Sequence, residues 1–394
     1  LALRKIKENI YNVGAIDWDR TLFDELVPLP EGTSYNAYIV KGSEKTAMID
    51  SVEPAKQEEF VRNIKEYGLE RLDYIICNHA EQDHSGLIPL VLEMFPEARL
   101  VTNEKCKGFL QELLLIEDEK FDVIKDGDTL SLGDKTFEFI FAALVHWPET
   151  MFTYLREDKM LFSGDFLGSH LATSETFSKD DAQTQMGAMR YYAEIMMPFR
   201  AMIKKHLKKL EDYEIEMVCP VHGPVYKNPE FIIDLYKEWT GDSVKNKVII
   251  PFVSMHGSIR TAVEHLTDEL SRRGIEVIQI NMIEAELGKL TTELVDAATI
   301  VFAGSTVLTG PHPTMVHAAA VINALRPKAR NVALLTSFGW ASKCTDTMKA
   351  LLPNFKNQLF DAYDFKGHPK KADLEKISEL ADEILEKHKE LELL

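Results

Sequence analysis

Residues 35–41 (Tyr-Asn-Ala-Tyr-Ile-Val-Lys) and 46–50 (Thr-Ala-Met-Ile-Asp) alternate or run apolar on either side of Gly42-Ser43, which predicts a hairpin. Pro54 opens a predicted helix through Tyr67, with Phe60, Val61 and Ile64 on one face. The short apolar run 73–77 reads as a buried strand, 86–95 as a helix, 99–102 as a strand and 105–115 as a helix. Short strands follow at 121–124, 129–132, 136–141, 151–155 and 160–163, then one long helix over 182–210 and a strand at 216–219. This interleaving predicts a mixed sheet layered with helices. A helix over 231–239 and a polar connector, Thr240-Gly241-Asp242-Ser243, come next. Beyond them the pattern turns regular. Strands at 247–253, 275–280, 298–303, 330–336 and 358–364 alternate with helices near 259–273, 313–326, 341–351 and 371–391, the pattern of a doubly wound parallel sheet. A length of 394 residues accommodates two domains, and the change of pattern sets them at 1–245 and 246–394.

Charge narrows the function classes. A net charge of −18 argues against a nucleic-acid surface, which needs clustered Lys and Arg. No apolar run approaches the ~18 residues of a membrane span, and residues 1–10 lack the apolar core of a signal peptide. Cys77, Cys106, Cys219 and Cys344 are scattered, with no C-x-x-C pair, so an iron–sulfur or rubredoxin-type site is not expected. A reducing cytoplasm fits this usage.

Candidate metal ligands recur behind the strands of the first half. His79, Glu81, Asp83 and His84 follow 73–77, His146 follows 136–141, Asp165 follows 160–163 and His222 follows 216–219. Gathered at one rim of a sheet they would form a single site on loops held by a rigid scaffold. The plain alternative is one histidine among solvated acids. His170 could line the pocket or sit in the core or on the surface. His206, among Lys204, Lys205, Lys208 and Lys209, reads as part of a solvated helix face. Trp147 and Met151 either wall the site or pack ordinarily.

In the second half, Ser254-Met255-His256-Gly257-Ser258-Ile259-Arg260 leads from a strand into a helix and would offer backbone N–H groups and hydroxyls to a phosphate. Two further loops, around Ser305-Thr306-Val307-Leu308 and Ser337-Phe338-Gly339-Trp340, would share its rim at the carboxyl ends of the strands. Trp340 or Phe338 could wall a planar ring.

The ligand spacing resembles the metallo-β-lactamase superfamily, whose signature is H-x-H-x-D-H with a later His, Asp and His. This chain has Glu81 where the signature has its second His. A carboxylate in place of imidazole hardens the site and favours iron over zinc. The implied centre holds two irons: His79, Glu81 and His146 on one, Asp83 and His222 on the other, and Asp165 bridging. His84 either ligates the second iron or orients a water beside it. The second half resembles flavodoxin and implies FMN, with departures: Ile259 stands where a hydroxyl is usual and His256 where an aromatic is usual, while Arg260 adds charge. A response-regulator-like domain would need acids at the end of its first strand, and 247–253 and its loop have none. Together the halves resemble the flavodiiron protein family over essentially the whole chain. The fold implied is α/β, a metallo-β-lactamase-like αββα sandwich followed by a flavodoxin-like doubly wound parallel sheet. The resemblance also implies reduction of dioxygen to water, of nitric oxide to nitrous oxide, or both, in a head-to-tail homodimer or a dimer of dimers. No further redox module is read up to Leu394, so a separate rubredoxin-like donor is expected. The competing readings are a zinc hydrolase fused to a flavodoxin domain and a non-catalytic electron carrier or redox sensor.

Overall fold

A computed structural model describes residues 4–285 and 287–394. The chain divides into two compact units, Leu1–Thr240 and Gly241–Leu394.

The first unit is built on two sheets. One has seven strands in the order Arg4–Lys7, Ile10–Asn12, Tyr38–Lys41, Thr46–Ile49, Tyr74–Ile76, Arg99–Asn103, Phe121–Ile124. The other has five, in the order Thr129–Ser131, Thr136–Phe141, Met151–Leu155, Met160–Gly164, Met217–Pro220. Alternation along each strand decides the layers. Tyr38, Val40, Ala47, Ile49 and Ile76 face Phe137, Phe139, Met151, Met160 and Phe162 between the sheets. Ile39, Met48, Ile75 and Leu100 point the other way, against Phe60, Ile64, Ile88, Val91 and Leu110 of the outer helices. On the far side Phe152 meets Phe166 and His206, so helix Arg200–Leu210 covers the second sheet. The result is the αββα sandwich.

Three local expectations change. The helix read over 182–210 is broken into Ala182–Tyr191, a π turn at Tyr192–Met196, a 3₁₀ turn at Met197–Phe199 and Arg200–Leu210. Pro198 lacks the N–H that a continuous helix would need there. The helix read over 86–95 is Ile88–Met94, preceded by a single turn at Gln82–Ser85 that carries two of the candidate ligands. Two unanticipated ladders, Ala15–Asp17 with Thr33–Tyr35 and Leu22–Phe23 with Val27–Pro28, lie in the N-terminal segment.

The second unit is a parallel sheet in the order Glu276–Asn281, Lys245–Val253, Ala297–Val307, Asn331–Phe338, Tyr363–Lys366, with Gly310–Pro311 antiparallel to the end of the long central strand. This 2-1-3-4-5 order is that of the flavodoxin-like doubly wound fold. Helices Ser258–Arg272 and Lys371–Glu390 bury Ile259, Val263, Leu266, Ile377 and Ile384 against Val248, Ile250, Phe252, Val301 and Leu335. A short helix at Leu287–Leu294 had no counterpart in the sequence reading. His388, fully buried, donates from Nδ1 to Asn246 Oδ1 (2.7 Å) and accepts at Nε2 from the Thr299 hydroxyl (2.8 Å), pinning the last helix to the sheet.

Candidate functional site

Strand Tyr74–Ile76 ends in a loop whose backbone is held at nearly every peptide. Asp50 accepts from the Asn78 backbone (2.8 Å) and side chain (2.9 Å), and Asn78 Oδ1 accepts from Thr153 (2.8 Å). The Ala80 N–H donates to Glu149 Oε1 (3.0 Å), the Ser85 hydroxyl donates to Ala80 O (2.8 Å), and the His84 carbonyl accepts from Ser51 N (2.7 Å). With the backbone occupied, the loop presents four side chains in one direction.

These meet the three later candidates. His79, Glu81, His146 and Asp165 form one group of potential metal donors; Asp83, His84 and His222 form a second. Asp165 Oδ2 lies 3.1 Å from His79 Nε2 and 2.9 Å from His146 Nε2, while its Oδ1 lies 3.2 Å from His84 Nε2 and 3.4 Å from His222 Nε2. One carboxylate therefore divides between the two groups. Glu81 Oε2 adds contacts of 2.9 Å to His146 and 3.5 Å to His79; Asp83 reaches His84 at 3.1 Å and His222 at 3.2 Å. The segments arrive from both sheets of the sandwich rather than one rim, His79–His84 from the seven-stranded sheet and the others from the five-stranded one. His84 joins the second group directly, 3.1 Å from Asp83 where His222 is 3.2 Å from it.

The donor set fits two metal ions. Both nitrogens of His79 and of His84, both oxygens of Asp83 and Asp165 Oδ1 are buried without a hydrogen-bond partner among the described residues, although imidazole nitrogens and carboxyl oxygens stand about 3 Å apart. Buried polar atoms rarely go unpaired. Spacings of ~3 Å are what donors around one ion show when each is ~2.1 Å from it. Three carboxylates and four imidazoles supply hard and borderline donors that suit iron. Burial works against the charge on Glu81, yet His146 and His79 hold its carboxyl at about 2. Burial likewise opposes protons on His146 and His222, but the facing carboxylates hold them up at about 9 and about 10, and burial lifts Asp83 to about 7. Metal ions would take the place of these protons.

Behind the second group, His222 Nδ1 donates to Ser34 O (2.8 Å), which fixes Nε2 as its free face. Thr33 Oγ1 lies 3.0 Å from His170 Nδ1 and 3.4 Å from His222 Nδ1. His170 is buried, its ring 4.9 Å from that of His222, so it backs the site and is not on the surface. His206 does not lie on a solvated face. It is buried under the five-stranded sheet, donating from Nε2 to Ala143 O (3.1 Å), because its lysine neighbours occupy the outer side of the helix. Trp147 walls the first group, 6.2 Å from His79 and backed by Phe109; Met151 belongs to the inter-sheet core. Thr33, Ser34, Glu149 and Asp50 were missed in the sequence, where nothing marks a residue that touches a ligand's backbone or far nitrogen.

In the second unit, Met255, His256, Ser258, Ser305, Thr306, Val307, Leu308, Ser337, Phe338, Gly339 and Trp340 line one cleft of about 450 Å³ at the carboxyl ends of the strands; Gly367 joins them. Gly257 caps the 15-residue helix Ser258–Arg272 with φ +87°, a conformation glycine adopts freely, and brings no side chain to the first helical N–H groups. Ser254 Oγ accepts from Arg260 N (3.2 Å) and closes the loop. Two of the expected contacts change character. The Ile259 side chain lies in the core, so it can offer a phosphate only its backbone N–H, and the Arg260 guanidinium packs over the Phe252 ring, 5.4 Å from its centre. A cleft of this volume at a helix N-terminus, lined by Phe338 and Trp340, fits a flavin mononucleotide. Among the described residues no helix is long and apolar enough to cross a membrane.

Residues 33–223 match the family model described as ODP family beta lactamase. A nitric oxide reductase of Moorella thermoacetica is 30% identical over 391 residues, covering 96% of this chain and 97% of its own. Rubredoxin oxygen:oxidoreductase from Desulfovibrio gigas superposes over 100% of both chains with a TM-score of 0.95 at 27% identity. The flavodiiron protein from Giardia intestinalis superposes over 99% of this chain and 98% of its own with a TM-score of 0.92 at 26% identity. With a two-group donor cluster, a flavodoxin-like cleft and relatives matched end to end, the chain belongs to the flavodiiron protein family.

Proposed function

We propose that this protein is an oxidoreductase that takes electrons from a rubredoxin-like donor through FMN to a non-haem pair of irons, reducing dioxygen to water, nitric oxide to nitrous oxide, or both. Residues 1–245 would form the diiron domain and 246–394 the FMN domain. The observation that carries the reading is the Asp165 carboxylate, divided between two donor groups of which the first contains Glu81 in place of an imidazole. The names of similar proteins point the same way, one being a nitric oxide reductase and another a rubredoxin oxygen:oxidoreductase.

His79, Glu81 and His146 would hold the first iron, Asp83, His84 and His222 the second, with Asp165 between them. Bound there, the pair would supply electrons and open coordination positions to a diatomic gas. The chain's own residues set the conditions. Ser34 orients His222, Trp147 and Phe199 pack beside His146, and Phe23 and Tyr35 pack against His222, so water is kept from the back of the cluster. Four electrons and four protons convert one dioxygen to two waters; two electrons and two protons convert two nitric oxides to nitrous oxide and one water. In the other unit, the N–H groups after Gly257 would hold the FMN phosphate, and Phe338 and Trp340 would wall its ring.

A cytoplasmic setting agrees with four unpaired, buried cysteines. A head-to-tail homodimer would set each flavin against its neighbour's metal cluster, and exposed Leu308, Trp340 and Met255 at the flavin cleft give such a contact apolar area.

The test is turnover of the anaerobically reduced protein with each gas supplied separately, on protein whose metals have been counted. Reoxidation of the flavin by either gas, with about two irons per chain, is expected. Zinc in both positions of protein made with ample iron would instead favour a hydrolase. The dimer is tested by mixing Asp165→Ala and Gly257→Val subunits carrying different tags. Isolated mixed dimers should show activity above that of either parent, and their failure to do so would place electron transfer within one chain.

A further inference from the structure

The seven donors explain where the ions go, but not why one further carboxylate is buried directly behind them. Glu149 is 3% exposed, and its Oε2 has no hydrogen-bond partner among the described residues. Burying such a group is costly unless its oxygens are paired, so its retention here calls for a reason. Its other oxygen, Oε1, accepts from the backbone N–H of Ala80 at 3.0 Å. Ala80 is the residue between His79 and Glu81. Glu149 itself sits three positions after His146, in the segment joining strands Thr136–Phe141 and Met151–Leu155. One hydrogen bond therefore joins the two segments that contribute every unshared donor of the first group, His79, Glu81 and His146.

That bond is braced from behind. Asn103 Nδ2 donates to the Glu149 carbonyl at 2.7 Å, and Asn103 Oδ1 accepts from Cys106 N at 3.0 Å as the cap of helix Glu104–Leu114. On the other side Met151 N donates to Asn78 O at 2.9 Å. The second group is held by different bonds, from His222 to Ser34 and from Ser51 to His84. Nothing in that set passes through Glu149.

We propose that Glu149 is a positioning residue for the first metal: by accepting from Ala80 it locks the loop of His79 and Glu81 to the segment of His146, so that the three donors form one pre-set face. The proposal rests on the reading of the seven side chains as a two-metal centre. Its consequence is an asymmetry. Loss of the Glu149 acceptor should weaken the first metal by about 10–100-fold, the usual cost of removing a residue that orients a ligand, and leave the second metal and the flavin in place. Glutamine keeps an acceptor oxygen at the same reach and should restore the face.

The experiment compares wild type, Glu149→Ala and Glu149→Gln holoproteins after the same challenge with a chelator, counting all metal per chain whatever its identity, together with flavin content, melting temperature and the paramagnetic spectrum of the half-reduced cluster. Glu149→Ala should fall from about two metals to about one, lose the coupled two-iron spectrum, and keep flavin and melting temperature; Glu149→Gln should keep both metals. Retention of both metals and the wild-type spectrum in Glu149→Ala would overturn the proposal. So would the joint loss of both metals with a lowered melting temperature, which is the mark of a general packing role, and so would equal loss in the glutamine variant. If the wild type held zinc, the reaction assigned above would fall, yet the metal count would still decide the role of Glu149.

Discussion

In the first unit, seven side chains from four segments converge, and His79, Asp83, His84, Asp165 and His222 are all buried at 5% exposure or less. In the second, the cleft is walled by loops in which Met255, Trp340 and Leu308 are 47%, 78% and 87% exposed, and its phosphate end is formed by backbone at Gly257. The first site depends on which atoms the side chains carry. The second depends on where the backbone goes. Substitutions should therefore act differently on the two. A changed donor in the first unit removes chemistry and leaves the fold; a changed glycine in the second unit alters the fold of a loop and leaves every donor in place.

The sharpest test is Asp165→Ala. Because its two oxygens serve different groups, both metals should be lost, with activity falling by more than the ~100-fold that removing an outer partner costs. Flavin content should be unchanged; loss of flavin in this variant would break the contrast between the units. Gly257→Val comes next. No atom lies within 4 Å of a Cβ built there, so the cost is the left-handed backbone at φ +87° and not a clash. A cost of about 1–2 kcal/mol corresponds to roughly 5- to 30-fold weaker flavin retention, with the metal content of the protein untouched.

The smallest expected effect concerns the one deeply buried histidine of the second unit that is held by neutral partners. Burial lowers His388 from 6.5 to about 4, so the folded state binds fewer protons than the unfolded chain between those values. The stabilising contribution is complete above pH 6.5 and declines as pH falls toward 4. Thermal unfolding of the second unit in the whole protein should show this decline, and His388→Asn should flatten it. A slope that persists in the variant would assign it to other groups.

The gathering of these seven side chains was legible because chemistry-bearing residues stood directly behind apolar runs. The βα alternation after residue 245 made the second sheet equally plain. What was not legible lacked a local signal. The ladders formed by Ala15–Asp17, Leu22–Phe23, Val27–Pro28 and Thr33–Tyr35 are two or three residues long, too short for a period to show, yet they deliver Thr33 and Ser34 to His222. Helix Leu287–Leu294 carries Gly288, Thr291 and Thr292, poor helix formers, and is held by tertiary burial of Leu290 and Leu294. His206 was misjudged because four lysines around it described the outer face of a helix whose inner face it occupies. Glu149 was invisible for another reason: its partner is a backbone N–H, which every sequence offers at every position.

The order of the donors along the chain also sets an order in time. A polypeptide emerges from its N-terminus, at roughly 5–20 residues per second. His79, Glu81, His146 and Asp165 are all present once Asp165, the residue after the strand Met160–Gly164, has been made. The second group still lacks His222, which arrives only with Met217–Pro220, a strand that pairs parallel to Met160–Gly164 and so must wait for the intervening helices to cross over. The side chains of the first group are thus all synthesised before the second group is complete, and if each group holds one ion as proposed, the first position would be the earlier to form.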